Sequence, residues 1–295
     1  MTRRATIVVL THQQWGLDPH MTLARIARQH WEEQGHRIVV HRGCGVPASG
    51  DIAVQHVDLT RLPAEYGDLA RHCPRTINGA VQDISKRRFS RGSLRRGDGY
   101  DGPVIVKTDR NHTGMAERYT ALAEGGAPAR LREWIVERLP LWLSGRLPDD
   151  RYPVFERAGD VPGWIWRTSG LIVQKLFVER RGPYYALHQW YFRGDRDCVS
   201  TFLSHDPLVQ MATVAEKLPL HAEVPAAIRR QREALGFDFG KFDFIVHEGE
   251  AILLDANRTP NEGADGYNAR VDAILAALAG GLDGLLPNGA MVPHS

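Results

Sequence analysis

Cysteine is scarce. Only Cys44, Cys73 and Cys198 occur in 295 residues, in odd number and wide spacing, with no CxxC pair. That excludes a disulfide framework and argues against a structural zinc site. No apolar run approaches 18 residues, so no membrane-spanning helix is expected. Charge of one sign is not in excess: 37 Lys+Arg face 35 Asp+Glu, a net charge of +2. This balance removes any global argument for nucleic acid or an anionic membrane as the main partner. The first apolar run, Ile7 to Leu10, is shorter than the core of a secretion signal, and a cytoplasmic protein is expected. No GxGxxG follows that run, which continues Thr11-His12-Gln13-Gln14-Trp15-Gly16, so a dinucleotide-binding turn is disfavoured there. The 13 histidines contain no HExxH, and Cys44 has no assignable His or Asn partner for nucleophilic catalysis.

The length admits one large domain or two to three modest ones, with enough chain for a sizeable core. Ala5 to Thr11 reads as a buried strand, Leu23 to Trp31 as a helix stopped by Gly35, and Arg37 to His41 as a second strand. Strand, helix and strand make a βαβ unit, so the chain begins as α/β. A loop follows over Gly43 to Gly50, with Pro47 inside it. Then come a strand over Asp51 to Thr60 and a short helix over Pro63 to Arg71. Beyond Asn78-Gly79, a turn signal, Val81 to Ser90 suits a helix. Gly92 to Gly102 reads as a loop, and Pro103 to Thr108 as a strand. Asn111 to Gly114 is a small loop, Leu131 to Leu139 is helical, and Asp149 to Gly163 is a long surface excursion. Trp164 and Trp166 flank Ile165 in what reads as a short strand. Gly170 to Val178 and Tyr184 to Phe192 are strands around the turn at Arg180 to Pro183. Pro225 to Leu235 and Ala269 to Leu278 are helices.

The clearest hairpin joins Lys241–His247 to Ala251–Arg258 around Glu248-Gly249-Glu250. With a three-residue loop, His247 faces Ala251 and, counting outward, Asp243 faces Asp255; Asn257 lies on the same side. Like charges opposite one another destabilise a sheet. A hard divalent cation would relieve them, since Mg2+ takes carboxylate and carbonyl oxygens and commonly shares them with phosphates. The other reading is that Asp255 and Asn257 open a turn before Pro260.

Lys107 ends the apolar strand, where its stem is covered and its ammonium is delivered to one point. That suits a phosphate, or equally a lysine reaching solvent at a strand end. Lys86 opens a run of six basic residues ending at Arg96. With one aromatic in it and no nucleic-acid-binding motif, this run reads as a solvated face or a basic loop near an anionic ligand.

The order of these features resembles the ATP-grasp superfamily, in its RimK and glutathione-synthetase-like branch. The segments are Ile84-Ser-Lys86-Arg, Gly102-Pro-Val-Ile-Val-Lys107, Leu171-Ile-Val-Gln174-Lys175-Leu-Phe177-Val-Glu179, Lys241-Phe-Asp243-Phe and Leu253-Leu-Asp255-Ala-Asn257-Arg-Thr-Pro260. The resemblance implies an ATP-grasp fold over residues 76–290, with a central lobe over 76–169 and a C-terminal lobe over 170–290. A small α/β domain over residues 1–75 would precede it. It implies ATP as cofactor, with Lys86 and Lys107 on the phosphates and Gln174, Lys175 and Phe177 in the strand that reads adenine. Glu179 would hold the ribose. Asp243, Asp255 and Asn257 would hold two Mg2+ ions, and the Asn111 to Gly114 loop or the Asp149 to Gly163 excursion would fold over the nucleotide.

Two departures stand out. The middle metal position, usually glutamate, is Asp255, and His188 stands where an arginine near the phosphates is usual. Arg258 or Arg167 would then supply the catalytic guanidinium, Arg258 being favoured because it follows the metal ligands. The alternative for Arg258 is a surface salt bridge. The implied chemistry is activation of a small-molecule or peptide carboxylate as an acyl phosphate, followed by attack of an amine or other nucleophilic acceptor. An ATP-grasp phosphotransferase and a non-catalytic nucleotide-binding protein are the competing functions. A homodimer is the usual assembly of the superfamily.

Overall fold

Short β-branched runs build the first of three sheets. In the computed structural model, residues 4–14, 16–19, 21–46, 49–147, 152–261 and 268–279 are described. Strands β1 (Thr6–Thr11), β2 (Arg37–Arg42), β3 (Ile52–His56) and β4 (Thr76–Ile77) lie parallel in the order β2-β1-β3-β4. The helix Thr22–Ile26 continues through one π-helical turn, Ala27–Trp31, and the chain turns at Gly35 with φ +86°. Ile7, Val9 and Val54 meet Ile26 and Trp31 on one face, while Val8, Leu10, Ala53, Leu59 and Tyr66 pack on the other. Burial on both faces explains why β1 is a continuous apolar run and does not alternate.

The second sheet is antiparallel. Strands β5 (Ser93–Leu94), β6 (Val104–Thr108), β7 (Val154–Phe155) and β8 (Leu171–Lys175) lie in the order β5-β8-β6-β7. Val104, Val106, Leu171 and Val173 bury one face against Ile165. By the period of two, Ile105 and Lys107 point to the other.

The third sheet contains β9 (Glu179–Arg181), β10 (Tyr184–Arg193), β11 (Arg196–Ser204), β12 (Val214–Lys217), β13 (Phe239–His247) and β14 (Glu250–Asn257). Its order is β12-β11-β10-β13-β14, with β9 beside β10. Trp190, Phe192, Phe242, Phe244 and Leu253 pack on Ile228 of the helix Ala226–Leu235. The opposite face carries Gln189, Tyr191, Lys241, Asp243, Asp255 and Asn257. The helix Ala269–Ala279 joins the first and third sheets in one core, where Leu275 and Leu278 meet both Ile26 and Tyr191.

Several expectations change. Only Lys86–Phe89 of the expected helix Val81 to Ser90 is helical. Its first half is extended, because Val81 and Ile84 are buried in the third sheet's core and Asp83 bridges to Arg61. Trp164 and Trp166 lie on a helix, Gly163–Arg167, which buries Ile165 under the second sheet. Gly92 to Gly102 contributes β5, and the turn before Tyr184 shortens to Gly182-Pro183 because Arg181 pairs with Tyr184. The strand expected over Asp51 to Thr60 shortens to β3. The helix over Pro63 to Arg71 becomes Ala64–Leu69 followed by one 3-10 turn, Ala70–His72. Helical structure around Leu131 begins earlier, over Gly126–Val136, and is preceded by the helix Met115–Glu124. Pro47, residues 149–151 of the excursion and residues 280–290 lie outside the described residues. Among the described residues no helix is long and apolar enough to cross a membrane.

Candidate active site

The hairpin β13–β14 positions the acidic pair. Its turn has two residues, not three: His247 pairs with Glu250 across Glu248 (φ +51°) and Gly249 (φ +83°). Positive φ at both positions is the type I′ arrangement that matches strand twist. The register then shifts by one residue next to Phe244–Leu253, where Leu254 bulges. The bulge restores the pairing Asp243↔Asp255 and brings Lys241 opposite Asn257.

The carboxylates do not face each other uncompensated. Lys86 Nζ lies 2.9 Å from Asp255 Oδ1 and donates to the Arg110 carbonyl at 3.1 Å. Lys241 Nζ lies 3.3 Å from Asp243 Oδ1. Burial alone would lower the Lys86 pKa, but the Asp255 carboxylate outweighs it and raises it. Burial likewise opposes ionisation of Asp255, yet Lys86 holds its carboxyl below the ordinary range. At Asp243 burial wins: Lys241 offsets it only in part, Asp255 adds repulsion, and the pKa is raised. Lys107 is pushed down to about 8, first by burial and then by repulsion from Lys86.

Three ammonium groups against two carboxylates leave the cluster one positive charge in excess when all are ionised. An anion is the complement of that excess. A divalent cation among the carboxylates would raise the excess to three, suiting a polyphosphate.

Does the donor set fit a metal? Asp243 Oδ1 is buried and makes no geometrically sound hydrogen bond, although Lys241 is near. Asp255 supplies a second carboxylate and Asn257 an amide oxygen, a hard oxygen set that fits Mg2+. Asn257 Oδ1 already accepts from the Thr259 backbone N–H at 2.8 Å, which fixes the amide and lets its Nδ2 donate to His112 Nε2 at 3.1 Å. No group of three or more His, Cys, Asp or Glu able to hold a metal occurs among the described residues, so Asn257 is needed to complete the set.

A cleft between the second and third sheets adjoins this cluster. Ile105, Ile245 and Ile252 give it apolar walls; Gln174 to Val178 runs along it, and Lys107 lines it. Leu176 to Val178 lies between β8 and β9, outside either strand. The Lys175 N–H donates to the Gly92 carbonyl at 2.8 Å, and Gln174 Nε2 donates to Ser90 Oγ at 2.6 Å. Phe177 covers Gly92 so closely that a Cβ there would sit 2.6 Å from its ring.

Lys86, Lys107, Asp243, Asp255 and Asn257 thus come together, and Gln174, Lys175 and Phe177 line the adjoining cleft. Glu179, Arg258 and Arg167 do not join them. The Glu179 carboxylate lies on the opposite face of the third sheet. Its Oε2 is 2.9 Å from His188 Nε2 and accepts from Val246 N–H at 2.6 Å, and its Oε1 accepts from Arg181 Nε at 2.7 Å. His188, stacked on Phe244, is on that face too, so it does not stand in for an arginine at the cluster. Arg258 is fully buried. Its guanidinium donates to the carbonyls of Val81, Leu59 and Thr60, fastening β14 to the first sheet's connections; it is neither a free catalytic group nor a surface ion pair. Arg167 is exposed on the helix covering the far face of the second sheet. The Asn111 to Gly114 loop packs on Asp58 and Asn257, away from the cleft, whereas Tyr152 of the excursion does line it.

Sequence reasoning missed Lys241 as a member of the cluster, although its place two residues before Asp243 was a usable signal. Nothing local marked His112. It sits at φ +42°, followed by Thr113 at +56°, a left-handed pair costly for residues with a Cβ.

Neither a protein-family model nor a curated protein matches this chain. Solved structures similar to it include a RimK domain ATP-grasp protein from Sphaerobacter thermophilus DSM 20745. It is 12% identical at a TM-score of 0.45, covering 93% of this chain and 100% of that one. D-alanine–D-alanine ligase from Bacillus anthracis complexed with ATP is 9% identical at 0.44, covering 96% of each chain. Macrocyclase MdnC bound with precursor peptide MdnA, from Microcystis aeruginosa MRC, is 11% identical at 0.44, covering 92% of this chain and 99% of that one.

Proposed function

We propose that this chain is an ATP-grasp ligase that uses ATP and Mg2+ to activate a carboxylate as an acyl phosphate and join it to an amine or other nucleophile. The observation that carries this reading is the position of Lys107. It lines the apolar cleft, and its ammonium feels Lys86, Asp255 and Asp243. A flat apolar ring system at one end and a polyphosphate at the other would match that arrangement.

In this reading the cleft takes adenine against Ile105, Ile245 and Ile252, beside the Gln174–Val178 segment. Lys86 and Lys107 hold phosphate oxygens, and binding the anion favours the charged form of Lys107 against the burial that opposes it. Asp243, Asp255 and Asn257 hold magnesium, which when bound neutralises charge on the transferring phosphoryl group. Lys241 keeps Asp243 in place. The protein's contribution is chiefly position and fixed charge. The division into residues 1–75, 76–169 and 170–290, a homodimer and a cytoplasmic location belong to the same reading.

Neither candidate arginine lies at the cluster, so no guanidinium from that pair would stabilise an acyl oxyanion. This favours, as a second reading, a phosphotransferase that moves the phosphoryl group to a hydroxyl and stops. The products separate the two: a ligase releases ADP and phosphate only when both carboxylate and acceptor are supplied.

The first test is a thermal-shift titration with Mg·ATP on wild type and Asp255→Ala. A Mg-dependent rise of several degrees in wild type, lost in the variant, is expected from ligand linkage. No rise at millimolar Mg·ATP would overturn the nucleotide reading.

A further inference from the structure

Asn257 is the one member of the proposed metal set that is not a carboxylate, and a closed ring of hydrogen bonds holds it. Thr259 N–H donates to Asn257 Oδ1 at 2.8 Å, and Thr259 Oγ1 donates to Asp58 Oδ1, also at 2.8 Å. Asp58 Oδ1 accepts in addition from Asn111 Nδ2 at 3.1 Å. The next residue, His112, closes the ring, with its Nε2 3.1 Å from Asn257 Nδ2. Three segments meet there: those following β3 and β6, and the end of β14. Among the described residues His112 is the only hydrogen-bond partner of the Asn257 side chain from a distant part of the chain.

The backbone is strained to bring His112 there. Among the described non-glycine residues with positive φ, Asn78 and Glu248 stand in turns, and His112 and Thr113 are the only consecutive pair. For a β-branched threonine this region is a marked outlier. His112 is exposed, so burial of its side chain does not offset the strain. Strain of this kind persists only where surrounding contacts over-determine it, and it gathers at functional sites. Here the loop is anchored by Asn111, whose N–H donates to Thr60 Oγ1 at 2.9 Å and which is 4% exposed. What the strained conformation delivers is one imidazole nitrogen, placed on the amide of a proposed metal ligand.

We propose that His112 is a positioning residue for magnesium, fixing the Asn257 amide so that its oxygen, and not its nitrogen, is left to the ion. The inference rests on the magnesium part of the proposed function. The donors and acceptors allow one arrangement. An amide nitrogen can only donate, so His112 Nε2 accepts and the ring carries its proton on Nδ1. Turning the amide over would set its N–H2 against the Thr259 N–H. The single hydroxyl proton of Thr259 goes to Asp58, 2.8 Å away against 3.3 Å to Asn257 Oδ1, so the amide oxygen keeps a lone pair for a cation. A ligand held in place before the ion arrives does not have to be ordered by it, which is why the groups behind metal ligands affect affinity.

The test is electron paramagnetic resonance of Mn2+, which takes the same oxygen ligands as Mg2+, titrated into the full chain with ADP present. His112→Ala should weaken Mn2+ by about tenfold or more. His112→Gln, whose amide oxygen can accept from Asn257 Nδ2, should recover most of that loss. Thr113→Gly relieves the neighbouring strain without touching a proposed ligand, and should change Mn2+ affinity by less than about twofold. ADP affinity in EDTA should be the same for all four proteins, because His112 acts through the metal ligand. Unchanged Mn2+ affinity in His112→Ala, an equal loss in Thr113→Gly, or a parallel fall in ADP affinity in EDTA overturns the proposal. If wild type binds ADP and Mn2+ and His112→Ala matches it, this inference fails and the magnesium reading stands. If wild type with ADP binds no Mn2+, the magnesium reading fails and takes the role of His112 with it.

Discussion

Lys86 on the short helix after the first sheet and Asp255 on the last strand meet at 2.9 Å, with the lysine side chain 8% and the aspartate 30% exposed. The pair closes the second sheet's entry segment onto the third sheet. Removing the lysine leaves Asp255 beside Asp243 with one cation fewer. Lys86→Met should therefore destabilise the protein by about 1–3 kcal/mol, discounted for the exposure of Asp255. The double variant Lys86→Met/Asp255→Asn should recover part of that loss. Urea unfolding of the four proteins checks it, and a double variant less stable than Lys86→Met would sink the argument.

Lys107 carries a penalty for being charged. Its folded value of about 8 lies below the ordinary 10.5, so the cost to folding is full below pH 8 and is relieved as pH rises from about 8 to 10.5. Lys107→Met removes the cost. Its melting temperature at pH 7 should rise by a few degrees while its response to Mg·ATP disappears. In wild type, nucleotide affinity should fall as pH climbs above 8. A variant that melts lower and still binds nucleotide would show that the ammonium is structural.

Arg258 tests structure against catalysis. Its guanidinium satisfies three buried carbonyls, at the expense of a pKa lowered to about 10 by burial. Arg258→Lys cannot reach all three and should cost about 2–4 kcal/mol. Stability near that of wild type, combined with a specific loss of turnover, would restore a catalytic role.

Glu179 gives the acid limb of the stability curve. Burial opposes its charge, but bonds to His188, Val246 and Arg181 prevail and bring its pKa from 4.5 to about 2. A depressed carboxylate stabilises fully above its unfolded value, and that contribution is lost as pH falls from about 4.5 towards 2. Its size is roughly 3 kcal/mol. Glu179→Gln should flatten the stability profile over that window and leave Mg·ATP binding in place, as its carboxylate faces away from the cleft. Denaturant titrations between pH 2 and 7 decide this.

The local pattern already determined much of this. β-Branched runs marked β1 and β6, Pro225 marked the start of a helix, and period-two counting placed Asp243, Asp255 and Asn257 on one face. That count reached the right pair by a different route, because a loop one residue too long stood in for the bulge at Leu254. Alternation states which side chains share a face of their own strand, not what lies across from that face. Only the tertiary structure decided that Glu179 turns to His188, that Arg258 is enclosed by carbonyls from distant loops, and that Val81 and Ile84 are drawn out of a helix into a core. Those outcomes depend on long-range burial and on backbone groups needing partners, and neither is encoded within a window of a few residues.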